Sequence, residues 1–208
     1  MSVALTNWLK DLLPHTPGIV RAVAKREVIK AAREFFRDST AWREVVQSAY
    51  FVDGAYALTA VPQNTDSEVL RILSVEKDGV PLTLKAERPT GERQEGTPTN
   101  WYPTPGTADQ FEVWPTPDQY DDEILVRVVL IPTDTATALP DMAAVKHFDG
   151  ILDGALGRVY GHPAKPYSNP TLAEYHLRRF RNAIAKAKGE VIQGGAAGQN
   201  WTYPKYGK

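Results

Sequence analysis

Cysteine is absent from this 208-residue chain, and long apolar runs are absent as well. Without thiols the chain cannot form disulfides, thiolate metal sites, iron–sulfur clusters or a cysteine nucleophile. No apolar run reaches the roughly 18 to 20 residues that a membrane span needs, and residues 1–14 lack the basic start and apolar stretch of a signal peptide. We therefore expect a protein that folds or assembles inside the cell, without membrane contact.

Recognised catalytic motifs are also missing. The sequence has no Gly-rich phosphate loop, no Gly-x-Ser-x-Gly, no His-Glu-x-x-His and no dinucleotide-binding fingerprint. His147, Asp149, His162 and His176 are potential metal ligands, but their spacing matches no known site. We predict that the protein is not an enzyme and that it has no catalytic residues, cofactor or metal ion.

Charge is segregated along the chain, although the formal net charge is only −1. Residues 21–37 carry a net +4 and residues 165–208 a net +6, whereas residues 38–164 carry a net −11. Within the acidic middle, residues 109–123 contain six acids and no base. The near-neutral total is an average over unlike surfaces, which indicates contact faces of opposite charge.

Three segments have the three-and-four spacing of amphipathic helices. The first covers residues 19–37 and ends at Asp38-Ser39-Thr40, with Thr40 able to cap a short following turn or second helix. Leu139-Pro140-Asp141 opens a helix predicted over 140–160, and Asn169-Pro170 opens a basic helix over 170–189. The middle helix keeps three glycines, which predicts close packing against its neighbours: Gly150, Gly154 and Gly157.

Between residues 50 and 132 the apolar period changes to two, which predicts five to seven short strands. Asp78-Gly79 between two apolar runs predicts a hairpin. The element order predicts an α+β fold: a discontinuous helical bundle of N- and C-terminal helices (residues 1–48 and 138–193) carries an inserted antiparallel β-sandwich or barrel lobe (49–137). Residues 194–208 are predicted to be an extended C-terminal tail beyond a Gly/Ala hinge.

Three groups of residues are candidate interaction sites. The last helix offers a basic helical interface made of Arg178, Arg179, Arg181 and Lys186. The β lobe offers an acidic group, for an interface or a channel, made of Asp118, Asp121, Asp122 and Glu123. The tail offers three aromatic residues that either dock on another chain or fold back on their own subunit: Trp201, Tyr203 and Tyr206.

Two other functions remain open at this point. Trp101 and Trp114 could stack on sugar rings, so the chain could be a carbohydrate-binding or glycoside-hydrolysing β module carried on a helical scaffold. Such tryptophans more often fill a core or an interface, and consecutive acids such as residues 121–123 more often form a solvated loop. The basic last helix could alternatively bind DNA through Arg178, Arg179 and Arg181.

A series of short motifs stands in order along residues 18–190. They are Ala32-Arg33-Glu34-Phe35-Phe36 followed by Trp42, Gly96-x-Pro98 before Trp101-Tyr102, Phe111-Glu112-Val113-Trp114-Pro115-x-Pro117, Leu139-Pro140-Asp141, Asp153-Gly154-Ala155-Leu156, and Pro166-Tyr167-Ser168-Asn169. In this order and spacing the motifs resemble the head-to-tail adaptor, or connector, proteins of tailed bacteriophages, the rings that attach beneath the portal.

The resemblance implies a structural virion protein of the neck, assembled in the host cytoplasm as a homo-oligomeric ring of twelve subunits. Such a ring joins the portal protein to the tail or nozzle protein and continues the DNA channel, with genome DNA only as passing cargo. In related adaptors an extended C-terminal segment docks on the portal, which here maps onto residues 199–208 with Trp201, Tyr203 and Tyr206 as anchors. The basic helices and the acidic β lobe then supply the two unlike faces that a ring subunit needs.

Overall fold

The computed structural model describes residues 2–47, 57–87, 94–117 and 124–194. Its five α-helices are α1 (Thr6–Leu12), α2 (Arg21–Ser39), α3 (Asp141–Val145), α4 (Phe148–Tyr160) and α5 (Pro170–Ile192). Its strands are β1 (Ser2–Ala4), β2 (Arg43–Gln47), β3 (Ala57–Thr59), β4 (Ser67–Lys77), β5 (Val80–Pro81), β6 (Thr83–Leu84), β7 (Asn100–Pro103), β8 (Gln110–Trp114), β9 (Ile124–Pro132) and β10 (Ala138–Pro140). The predicted α+β class is confirmed.

The strands form three sheets. One has the order β2-β9-β4-β5, a second has the order β3-β8-β7-β6, and β1 pairs with β10. Asp78 and Gly79 form the predicted hairpin turn between β4 and β5, where their positive φ values of 52° and 78° suit a tight turn. Strand pairing is antiparallel except between β6 and β7, which run parallel over two residues, so the expectation of a wholly antiparallel lobe was wrong at this point.

The core continues from the helices into both four-stranded sheets. α4 lies at the centre of the helices and contacts α1, α2 and α5. A single buried cluster joins Phe35 and Phe180 of the helices to Val128 of β9 and Phe111 of β8. The predicted helices therefore bury their apolar faces against one another, and α2 also packs against β9.

Two local predictions need correction. The helix predicted over 140–160 is two helices, because the chain turns at Lys146 and His147; this places Phe148 against Trp8, with ring centroids 5.2 Å apart. Thr40 caps α2 in the left-handed conformation, at φ 53°, and the chain then enters β2 rather than a second helix. The Trp42 ring packs on the Phe36 ring, with centroids 5.5 Å apart, and β2 pairs with β9. These contacts favour an extended chain after Thr40.

Candidate interaction surfaces

The last helix, α5, has one buried face and one solvent-exposed face. The side chain of Asn169 accepts a hydrogen bond from the Leu172 amide at 3.1 Å and so caps the helix, and Pro170 follows in the first turn. The fully buried residues of α5 recur every seven positions, at Ala173, Phe180 and Ala187. Two helical turns separate them, so they form a single stripe, and the opposite face is left to solvent.

The three glycines of α4 allow the backbone of α4 to approach α5 closely. A Cβ on Gly154 would lie 2.7 Å from ring carbons of Phe180, and one on Gly157 would lie 2.8 Å from Leu177. A Cβ on Gly150 would lie 2.8 Å from the Cβ of Ala183. The predicted close packing is therefore confirmed, and it fixes which face of α5 points outward.

Arg179 belongs to a polar cluster inside the subunit. The carboxylate of Asp153, which is buried on α4, lies 2.7 Å from His176 Nδ1 and 3.0 Å from Arg179 Nε. Arg179 also donates a hydrogen bond to the Tyr175 hydroxyl at 3.1 Å. That hydrogen bond and then the Asp153 carboxylate raise the pKa of Arg179, so its guanidinium stays charged and holds α5 to α4.

The other predicted cations of α5 are available for contacts outside the subunit. Arg178, Arg181 and Lys186 are exposed, and within the described part of the chain no carboxylate lies within 4.0 Å of them. Arg178 and Arg181 border an open cavity of about 390 Å³, which the carboxylate-bearing Glu174 and the apolar Pro170 and Leu177 also line. The predicted basic interface thus divides into one exposed cation that is paired within the subunit, Arg179, and three that are not.

The other two predicted sites lie outside the described residues. This applies to the acidic group of Asp118, Asp121, Asp122 and Glu123 and to the tail aromatics Trp201, Tyr203 and Tyr206. The described lobe residues 57–87 and 94–117 nevertheless carry eight carboxylates against three cations, so this part of the lobe is acidic too.

The aromatic residues considered for sugar binding are largely interior. Trp101 is only 3% exposed, and its ring meets that of Phe111 edge to face at 6.4 Å. Trp114 is half-buried at the end of β8. Because a stacked sugar needs an open ring face, Trp101 cannot supply one, and its role is to fill the core.

The histidines considered as metal ligands are dispersed. His176 pairs with Asp153, His162 Nε2 lies 3.9 Å from the carboxylate of Glu27, and the His147 ring lies 4.8 Å from that of Phe35. Asp149 is exposed in the first turn of α4. Among the residues that the structure describes, no three side chains of the metal-binding types come together.

The structure also gathers cations that the sequence analysis did not single out. Arg43, Arg127 and Lys146 border a second cavity, between β2, β9, α3 and the end of α5. The signal available in the sequence was Arg127, the one charged residue within the apolar run 124–132. Arg127 becomes part of a cationic group only through strand pairing, which brings Arg43 beside it, and through a helix that is distant in the chain.

Comparison with known proteins completes the description of these surfaces. Among the described residues, no helix combines the length and apolarity that crossing a membrane requires. A search of curated proteins finds no match. The family model described as SU10 adaptor protein matches residues 2–204, nearly the whole chain. The chain therefore belongs to the SU10 adaptor protein family, a family of structural head-to-tail adaptors that lie in the neck of the phage virion and contact other virion proteins.

Proposed function

We propose that this chain forms a closed ring of twelve subunits that joins the portal protein to the tail or nozzle protein and continues the DNA channel. Membership of the adaptor family supports the general role. The division of charge supports the more specific role in a closed ring, because a ring subunit meets its two neighbours through two different faces. A basic helical face against an acidic β face gives both attraction and a fixed register.

The outer face of α5 is the observation that carries this proposal. Arg178, Arg181 and Lys186 are exposed cations without a carboxylate within 4.0 Å in the described residues, on a helix whose other face is buried. A stable helix that presents such cations is suited to an acidic protein surface, which we assign here to the portal protein. The apolar wall of the adjacent cavity, with Pro170 and Leu177, adds a desolvated centre to that charged rim.

The C-terminal tail supplies the second contact in this proposal. Residues 199–208 contain Trp201, Tyr203 and Tyr206, which we assign as anchors on the portal. A single short peptide binds weakly, but twelve copies on one ring bind together, so the ring gains avidity. The acidic group of Asp118, Asp121, Asp122 and Glu123 has the charge that keeps passing DNA from adhering if it lines the channel.

Co-sedimentation with portal rings tests the role of the α5 face. We expect R178E/R181E to fold normally, because both side chains are exposed, but to lose at least nine-tenths of the co-sedimentation shown by the natural chain. K10E/R21E is the matched control, since it makes the same charge change at exposed positions of α1 and α2. Undiminished co-sedimentation of R178E/R181E would contradict the assignment of this face.

Deletion of residues 195–208 tests the role of the tail separately. The subunit should remain folded, because the helices and sheets of the described residues share a large buried cluster, and co-assembly with portal rings should be lost. A triple change of Trp201, Tyr203 and Tyr206 to alanine should have the same effect as the deletion. If the shortened chain still assembles on portals, the tail is not the anchor.

A further inference from the structure

A cavity between the sheet and the helices lies apart from the outer face of α5. It has a volume of about 360 Å³ and is open to solvent. Its lining comes from four elements that are distant in the chain: Arg43 of β2, Arg127 of β9, Met142 and Lys146 from α3 and its end, and Ala187 and Val191 of α5. The fold therefore brings polar and apolar groups together here that no single segment contains.

The charge around this cavity is predominantly positive. In the register of β2 and β9, Val45 lies opposite Arg127, so Arg43 and Arg127 are diagonal neighbours on one face of the sheet. Lys146 approaches from the helical side. Glu190 is the one carboxylate in the lining, and within the described residues none of the three cations has a carboxylate within 4.0 Å.

Apolar residues accompany these cations. Met142, Ala187 and Val191 line the same cavity. Val45 is 49% exposed, opposite Arg127. An apolar lining with a charged rim is the composition of a protein interface. Phosphate groups would gain nothing from the apolar residues, which disfavours a nucleic acid as the occupant.

We infer that this surface, formed by Arg43, Arg127, Lys146, Val45, Met142 and Val191, binds the acidic β lobe of a neighbouring copy of the same chain. This inference rests on the proposed ring. The described lobe residues 57–87 and 94–117 have a surplus of five carboxylates over cations, which is complementary to the surface. A closed ring needs this kind of heterologous contact between unlike faces.

The chain's own tail is the competing occupant, because Gly194 lines the same cavity. Charge argues against it. Residues 195–208 contain Lys205 and Lys208 and no Asp or Glu side chain, so the tail would bring further positive charge to a positive surface. Contact of the cationic surface with an acidic segment of another copy lowers the electrostatic energy, whereas contact with the basic tail raises it.

Zero-length carbodiimide cross-linking tests the contact, because it joins a lysine only to a carboxylate that touches it. The full chain is cross-linked at high concentration and within phage particles. We expect a product of twice the chain mass in which Lys146 is joined to a carboxylate within residues 57–123 of a second copy. Lys146→Arg keeps the charge but removes the reactive amine, so this linked peptide should vanish while assembly persists.

Charge reversal supplies the second measurement. R43E/R127E keeps the reactive amine of Lys146 and should reduce the yield of the double-mass product at least tenfold, whereas the control K10E/R21E should leave it unchanged. The inference is overturned if Lys146 is joined only to its own Glu190, to the chain's own C-terminus or to a different virion protein, or if DNA protects Lys146 from reaction. These results would leave portal co-sedimentation intact, so they are distinguishable from a failure of the proposed adaptor role.

Discussion

Gly154 is a residue at which α4 lies tightly against two other helices. A side chain there would meet Phe180, which is 1% exposed and cannot move toward solvent, and would also lie 3.1 Å from the Cβ of Ala31. One methyl group therefore forces α5 or α2 away from α4, and the displacement reaches most of the helical core.

We predict that Gly154→Ala lowers the free energy of unfolding by about 1–3 kcal/mol, as overpacking of a tight core does. Gly189→Ala is the matched control, because nothing lies within 4 Å of a Cβ at Gly189 on α5. Gly189→Ala should leave the free energy of unfolding unchanged or raise it by up to about 1 kcal/mol, because alanine has a higher helix propensity than glycine. Urea unfolding of both variants measures the difference, and equal stabilities would show that the close approach is absent.

His147 makes the stability of the fold sensitive to acid. Burial lowers its pKa from 6.5, with Lys146 and Lys186 acting in the same direction and Glu190 opposing them. The folded protein thus favours the neutral imidazole, and the unfolded chain binds the proton more tightly. The free energy of unfolding should fall as the pH drops below about 6.5.

We predict that His147→Gln removes this part of the pH dependence, as followed by urea unfolding between pH 7.5 and pH 5. His15→Gln, at an exposed position, should leave the pH profile of the natural chain unchanged. A profile that keeps its slope in His147→Gln would show that another group is responsible for the acid sensitivity.

At the scale of elements, the start of α5 at Pro170 depends on hydrogen bonding in the first turn of the helix. Asn169 is the residue whose side chain satisfies a free amide there, at Leu172. We predict that Asn169→Ala lowers the free energy of unfolding by about 1 kcal/mol, as loss of an N-cap does. Asn182→Ala, at an exposed position of the same helix, should change it by less than about 0.5 kcal/mol. Chemical denaturation compares the two, and equal effects would contradict the capping role.

Elements with a long periodic pattern were predictable from the sequence, and shorter ones were not. α2 and α5 extend over 19 and 23 residues, so their apolar stripes repeat often enough to be recognised. α1 has seven residues and was missed, although Trp8, Leu9 and Leu12 are buried. The break between α3 and α4 was missed because Met142, Val145 and Phe148 keep helical spacing across it.

The candidate surfaces were predictable only in part, for a similar reason. The cations of α5 are close in the sequence, so their common helix revealed them. That Arg179 is paired within the subunit depends on Asp153, which lies on a different helix. The surface around Arg43, Arg127 and Lys146 depends on the register of β2 and β9, which local propensity does not determine.

At the scale of the whole molecule, Arg33 joins the helices to the β lobe. From α2 it donates to the Pro132 carbonyl at the end of β9, and it lies 2.8 Å from Glu68 Oε1 of β4 and 3.2 Å from Asp134 Oδ1. This side chain ties α2 to two strands at once.

We predict that Arg33→Gln lowers the free energy of unfolding by about 1–3 kcal/mol, the cost of losing hydrogen bonds made by a charged group. Arg37→Gln is the control one turn later in α2: its side chain is largely exposed and pairs with the adjacent Asp38, so the loss should be below about 1 kcal/mol. Thermal and urea unfolding measure both, and equal losses would contradict a special role for Arg33.

Electron microscopy of the phage particle tests the central claim most directly, because it shows where the chain lies. We predict a closed ring of twelve copies between the portal and the tail, with Arg178 and Arg181 at contacts with acidic surfaces. Density for this chain in tail fibres, in a baseplate or on the capsid surface would contradict the account. A neck ring in which the cationic face of α5 points only into solvent would contradict the assigned interface.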